Sequence, residues 1–171
     1  MCVLLVGSSA ENALAQTTTN ANVCDAMTKI MENHPLHFKD VAGDPIMEEP
    51  YHYRASFVYP NAEECVITID ERNEDDPETE YYALIHSYPK TESAAAEKAY
   101  LEVLEVAKGC LFFDYWKEKD HAKFPTDKVP LADQAKYTFK HYEFGHHLKL
   151  TVGIHSGGDQ YQLYMNFLAY H

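Results

Sequence analysis

Positively charged residues are scarce in this sequence. Its 171 residues include 14 Lys and Arg against 27 Asp and Glu, which gives a formal net charge of −13. A surface of this sign repels the phosphates of nucleic acids and anionic lipid headgroups, so we expect neither as a ligand. Basic proteins, cations and neutral glycans are compatible with this charge, which also favours solubility of a secreted domain.

Long apolar runs and catalytic signatures are also missing. No stretch approaches the roughly 18 consecutive apolar residues of a membrane span, so none is predicted. The chain contains no Cys-x-x-Cys and no His-x-x-x-His pair, and no motif assigns a cofactor or a catalytic residue. A hydrophobic content of 46%, with 13 Tyr and 8 Phe, argues against disorder because such a chain has apolar surface to bury.

The N-terminal residues have the pattern of a secretory signal peptide. The apolar residues 2–6 lead to Ala13-Leu14-Ala15, an A-x-A site at which a signal peptidase would cut. We therefore divide the chain into a signal-like segment at 1–15, a polar lead-in at 16–21 and one α+β domain at 22–171, and predict a secreted or periplasmic protein. Because no Lys or Arg precedes the apolar run, a cytoplasmic protein with a loosely ordered N-terminus is the alternative.

Apolar periodicity predicts two helices and seven strands. A short stripe from Val23 to Met31 predicts an N-terminal helix, and a longer stripe from Ala96 to Leu111 predicts a long central helix. The order α-β-β-β-β-α-β-β-β indicates an α+β fold with about six to seven antiparallel strands. The predicted strands are residues 38–46, 51–59, 65–69, 81–88, 137–144, 148–155 and 161–170.

Cysteine count predicts one disulfide. After cleavage Cys24, Cys65 and Cys110 remain, and an odd number leaves one thiol unpaired within the chain. Cys65 shares a strand face with Ile67, and Cys110 lies on the apolar stripe of the long helix, so both are expected between helix and sheet. We predict a Cys65–Cys110 bridge, with Cys24–Cys110 as the rival pairing.

The same cysteines carry a resemblance. A helical Cys24, a hairpin with the sequence Pro-Asn-Ala-Glu-Glu-Cys65-Val-Ile, and Ala107-Lys-Gly-Cys110-Leu111 at the end of a long helix are similar to small secreted bacterial proteins that are mostly uncharacterised. The element order is also similar to type III secretion chaperones and related α+β interaction modules. This resemblance implies a binding module and identifies no partner.

Ten histidines raise the question of a metal site. His141, His147 and His155 cluster late in the chain, and imidazoles brought together on one face bind Zn²⁺ or Cu²⁺. Ordinary exposed histidines are the simpler interpretation, because a metal site needs convergent ligands held by further contacts. A metal-binding protein is therefore an alternative function, and no metal is predicted.

Tyrosines and one histidine define the predicted binding surface. If helices cover one face of the sheet, the other face carries Tyr82, His86, Tyr142 and Tyr164 together. An exposed aromatic sheet face is typical of protein or glycan binding. We predict a binding module whose partner is an unknown protein or glycan, and no cofactor.

A small hydrolase is the alternative with catalytic chemistry. Cys24 near a helix start, followed by His141 or His155 on later strands, has the element order of cysteine peptidases. Asp25, however, disfavours a thiolate at Cys24, so a structural cysteine is the preferred interpretation. The seven carboxylates between Asp70 and Glu80 are interpreted as a solvated hairpin tip.

Overall fold

A computed structural model describes residues 22–47, 49–70, 78–111, 116–121, 134–143 and 146–170. These residues form two α-helices, α1 at 22–32 and α2 at Ser93–Cys110, and neither is long and apolar enough to cross a membrane. Short 3-10 helices span His34–Leu36, Lys39–Val41 and Lys90–Glu92. The predicted segments 1–15 and 16–21 lie outside the described residues. The strands are β1 Ala42–Pro45, β2 His52–Ala55, β3 Glu64–Asp70, β4 Glu78–Pro89, β5 Trp116–His121, β6 Gln134–Glu143, β7 His146–Gly157 and β8 Gln160–Tyr170.

The eight described strands form one antiparallel sheet in the order β1-β2-β3-β4-β8-β7-β6-β5. Two meanders, β1 to β4 and β5 to β8, therefore meet where β4 pairs with β8. The predicted α+β class, with an antiparallel sheet, an N-terminal helix and a long second helix, is confirmed. The sheet has an additional strand, β5, in a segment whose charged residues mask the alternation that marks a strand.

One face of the sheet packs against the helices and is named the helix face. Alternate residues of β8, from Tyr161 to Ala169, are buried on it, and β3 contributes Cys65, Ile67 and Ile69 in the same way. This alternation follows from the strand geometry, in which successive side chains point to opposite faces. Helix α2 buries Ala96, Tyr100, Leu104, Ala107 and Cys110 in the same apolar cluster.

A buried tyrosine lies at the centre of that cluster. The ring of Tyr81 meets Phe38 and Phe167 edge to face, with centroids 6.3 and 6.1 Å apart. Its hydroxyl donates a hydrogen bond of 2.7 Å to the carbonyl oxygen of Phe57. Phe38 is fully buried and adopts a left-handed backbone at φ 53°, which turns its side chain into the core between two 3-10 helices.

The predicted strand at 51–59 is shorter in the structure. β2 ends at Ala55, and the chain then turns so that Tyr59 is buried while Phe57 lies beneath the Lys29 ammonium, 4.1 Å from the ring centroid. The alternation of aromatic residues there reflects packing of a loop against the helices. Apolar periodicity alone does not distinguish the two arrangements.

The disulfide joins the two helices. Cys24 on α1 and Cys110 at the end of α2 are bonded, with Cα atoms 5.0 Å apart. The predicted Cys65–Cys110 bridge is therefore wrong, and the rival pairing is present. Cys65 does face the helices, but the loop before β3 lies against it, and the backbone N–H of Tyr59 donates to its sulfur at 3.4 Å. Burial raises the pKa of the Cys65 thiol.

We predict that the double variant Cys24→Ser/Cys110→Ser loses about 4 kcal/mol of unfolding free energy, because the bridge closes a long loop in the unfolded chain. The bonded residues are 86 positions apart. Urea unfolding measures the loss. A reducing agent should lower the Tm of the wild type and of the control Cys65→Ala, and leave the double variant unchanged. An equal effect of the reductant on the double variant would place the bridge elsewhere.

Candidate binding site on the open sheet face

The sheet face opposite the helix face is named the open face. Its side chains alternate with the buried ones along each strand, and most of those with described side chains are half-buried. Backbone pairing places Tyr82 opposite Asn166, which in turn lies opposite Thr151. The central open-face positions are Glu80, Tyr82, Leu84, Tyr164, Asn166, Leu168, Lys149, Thr151, Gly153 and His155.

An aromatic ladder crosses three strands of this face. Tyr82 on β4 and Tyr164 on β8 stack with ring centroids 5.5 Å apart and an interplanar angle of 22°. His155 on β7 meets the Tyr164 ring at 5.2 Å and 61°, close to an edge-on arrangement. The structure therefore brings together two predicted binding residues, and also His155, considered above as a metal ligand.

A glycine makes this ladder fit. The Tyr164 ring extends over Gly153 on the neighbouring strand, and a Cβ added at Gly153 would overlap ring atoms of Tyr164. A glycine within a strand often marks such a close approach. Sequence reasoning did not identify Gly153 as part of the site, although an isolated glycine in a strand pattern is a signal for it.

A polar pair lies beside the ladder. The Asn166 amide nitrogen donates a hydrogen bond to the Glu80 carboxylate. The amide oxygen of Asn166 is buried and accepts no hydrogen bond from the described residues. A buried acceptor left without a donor is costly, so any donor that reaches it would be favoured. Neither residue was predicted as a site residue.

Burial controls the protonation of this cluster. Desolvation raises the pKa of Glu80, although the hydrogen bond from Asn166 and the charges of His52 and Lys149 oppose the rise. Desolvation, with smaller contributions from Tyr164 and Glu80, raises the pKa of Tyr82 to about 12. The pKa of Tyr164 is raised for the same main reason. Both phenols therefore stay protonated near neutral pH and are able to donate hydrogen bonds.

His86 does not share this face with Tyr82 and Tyr164. A bulge between Leu84 and His86 shifts the register, so that His86 lies opposite Leu163, a residue of the helix face. There its imidazole Nδ1 is 2.5 Å from the Glu63 carboxylate. The prediction assumed uninterrupted alternation along β4, and the inserted residue reverses the direction of the side chains that follow it.

The remaining predicted site residues are placed only in part. Tyr142 pairs with His147 in the β6–β7 ladder and His141 pairs with Leu148, but the side chains of Tyr142, His141 and His147 lie outside the described residues. Among the described side chains, no three His, Cys, Asp or Glu residues are arranged to hold a metal ion.

The described cysteines do not form the site required by the hydrolase alternative. The Cys24 sulfur is bonded to Cys110, and the Cys65 thiol is buried with a raised pKa. A nucleophilic cysteine needs a thiolate, which these environments do not provide. Of the predicted acidic hairpin tip from Asp70 to Glu80, residues 71–77 lie outside the described residues, whereas Asp70 ends β3 and Glu80 belongs to β4.

A groove on the helix side has a volume of about 730 Å³. It lies between the two helices and the loop at Tyr59, and sequence reasoning missed it because its walls come from distant segments. Its side chains are mainly apolar and do not include a polar cluster like that of the open face. Among its lining residues are Val23, Tyr59, Ile85, Glu102, Val103 and Val106.

Comparison with known proteins gives no match: no family model, no curated protein and no solved structure is similar to this chain at a significant level. The resemblance to small secreted bacterial proteins and to type III secretion chaperones therefore stays a prediction. The functional assignment depends on the geometry of the open face.

We predict that Gly153→Ala lowers the unfolding free energy by about 1–2 kcal/mol, because the new methyl group displaces the Tyr164 ring and separates it from Tyr82. In the Tyr164→Ala background the same substitution should cost less than about 0.5 kcal/mol, since nothing then occupies the space. Urea unfolding of the wild type, the two single variants and the double variant gives the coupling free energy between the two positions. Equal costs in both backgrounds would contradict the close approach of ring and glycine.

We predict that Glu80→Gln raises the Tm by a few degrees at pH 7 and has little effect near pH 4. The folded-state pKa of Glu80 is raised by burial, so the stabilising contribution of its protonated form is complete at low pH and is lost as the pH rises through that pKa. Glutamine keeps the acceptor oxygen for Asn166 and carries no charge.

Glu32→Gln, at an exposed position of α1, is the matched control for the loss of one negative charge. Because Glu32 is exposed, this substitution should change the Tm at pH 7 less than Glu80→Gln does. Calorimetric scans from pH 4 to pH 7 measure both variants. A Glu80→Gln protein that is destabilised more at pH 7 than at pH 4 would show that the charged form of Glu80 is favoured in the fold.

Proposed function

We propose that this protein is a non-catalytic binding module and that the open face is its ligand-binding surface. The observation that carries the proposal is the stacking of Tyr82 on Tyr164, beside which the Asn166 amide oxygen accepts no hydrogen bond from the described residues. Aromatic surface next to a few convergent polar groups is typical of ligand sites. The helices pack on the opposite face, so they do not cover the half-buried rings of Tyr82 and Tyr164.

A glycan fits this surface better than a protein segment. Extended peptides usually bind by adding a strand to a sheet edge, where unpaired backbone groups recognise them. Here β4, β8 and β7 lie inside the sheet, and their backbone groups are paired with neighbouring strands. Recognition must therefore come from side chains. Tyrosine rings offer apolar surface to a sugar ring, and Asn166, Glu80 and the phenols offer hydrogen bonds to its hydroxyls.

We also propose that the protein works outside the cytoplasm. A disulfide links Cys24 to Cys110, and disulfides persist mainly in secreted and periplasmic proteins. The signal-like pattern that ends at Ala15 predicts the same location. Glycans of a cell envelope or an extracellular matrix are available in such compartments.

The test is affinity gel electrophoresis with dextran, xylan and polygalacturonate as probes. We expect at least one polysaccharide to retard the protein, and expect Tyr82→Ala and Tyr164→Ala each to weaken this binding by about tenfold, as loss of an aromatic contact does. Circular dichroism should show that both variants remain folded, because these side chains are only half-buried.

Leu101→Ala is the matched control, since Leu101 is an exposed apolar residue on the outer side of α2 with 47% of its surface accessible. Its retardation should equal that of the wild type. The proposal is wrong if no polysaccharide retards the protein, or if Leu101→Ala weakens binding as much as the tyrosine variants. If a protein partner instead binds without any glycan, and if this binding requires Tyr82 and Tyr164, the alternative of a protein ligand is favoured.

A further inference from the structure

Charges on the open face are segregated between its two halves. Acidic residues occupy open-face register positions on β3 and β4, whereas lysines occupy such positions on β7, β6 and β5. There is one exception in each half: Arg54 on β2, which lies opposite Val66, and Asp120 on β5, which lies opposite Thr138. The acidic positions are Glu64, Asp70, Glu78 and Glu80, and the lysine positions are Lys149, Lys140, Lys136 and Lys117.

Three of these lysines stand in one row across neighbouring strands. Lys149 pairs with Lys140 in the β6–β7 ladder, and Lys140 pairs with Lys117 in the β5–β6 ladder. Like charges directly opposite each other destabilise a sheet. Lys149 is half-buried and forms no salt bridge within the described part of the chain. An anion bound over the row would offset this repulsion.

The fourth lysine links the row to the aromatic ladder. Lys136 pairs with Gly153, the residue over which the Tyr164 ring lies. The backbone position of Lys136 therefore lies beyond Gly153, on the side of Tyr164 that faces away from Tyr82. A ligand that places a ring against the tyrosines and a negative group on the β6 side would satisfy both features.

We infer that the ligand is an acidic polysaccharide of the uronate type, whose carboxylates lie over the lysine row while its sugar rings contact Tyr82 and Tyr164. This inference rests on the proposed function. The net charge of −13 does not oppose it, because charges further away than about 8 Å are largely screened at physiological ionic strength. The expectation that anions are repelled, drawn from the total charge, thus does not apply to this half of the face.

The experiment compares an oligogalacturonate with its methyl ester, which has the same sugar rings without the charge. Isothermal titration calorimetry of the full protein should give a Kd for the acid about tenfold lower than for the ester, and 0.5 M salt should remove most of this difference, as expected for about one or two ionic contacts. Lys149→Gln should weaken binding of the acid about fivefold and leave binding of the ester unchanged.

Lys98→Gln on α2 is the control for the same change in charge, because Lys98 is exposed and pairs with Glu102 at 3.7 Å on the other side of the molecule. It should change neither Kd. If acid and ester bind equally and both need the tyrosines, the inference is wrong and the proposed function stands. If neither binds, both are wrong.

Polyglutamate separates charge from sugar chemistry. It carries carboxylates without sugar rings, so we expect it to bind at least about tenfold more weakly than the oligogalacturonate, since it makes no aromatic contact. Binding of polyglutamate with equal affinity, and without dependence on Tyr82 or Tyr164, would contradict an acidic glycan and indicate an acidic protein segment as the ligand.

Discussion

The pairing of β4 with β8 is the constraint on which the rest of the structure depends. It joins two meanders that are separated in the chain by α2, and its register decides which residues meet on each face. On the helix face it sets Tyr81 against Phe167 in the core. On the open face it brings Tyr82 next to Tyr164 and Glu80 next to Asn166. A slip by one residue would exchange the two faces, so burial of the core also fixes the site.

Local pattern in the sequence was sufficient for the fold class and for part of the site. Both helices and the face shared by Tyr82 and Tyr164 follow from periods of 3.6 and 2 residues, which depend only on nearby residues. The incorrect predictions, for His86 and for the disulfide, concern a bulge and the packing of a loop, which the periodicity of a sequence does not reveal. The inserted residue before His86 reverses the alternation. The loop at Tyr59 lies against Cys65, and Cys110 is bonded to Cys24.

The site also contains residues that no sequence pattern identified. Asn166 and Glu80 are ordinary alternating polar positions of two strands, and only the pairing of β4 with β8 makes them partners. Gly153 is an isolated glycine in a strand pattern, but only the structure shows that the ring of Tyr164 lies over it. The segregation of lysines from carboxylates likewise depends on strand order. Strands β5 to β7 are neighbours in the sheet and bring their lysine positions together, whereas the net charge does not show where in the fold the charges lie.

The central claim is that the open face binds the ligand, and a nuclear magnetic resonance titration tests it most directly. Backbone amide shifts of the uniformly labelled protein would be followed while oligogalacturonate is added. If the open face binds the ligand, the largest changes will occur at Tyr82, Tyr164, Asn166, Lys149 and Gly153, and they will saturate together. Changes concentrated instead in the groove between the helices, at residues such as Val23, Val103 and Val106, would contradict this claim.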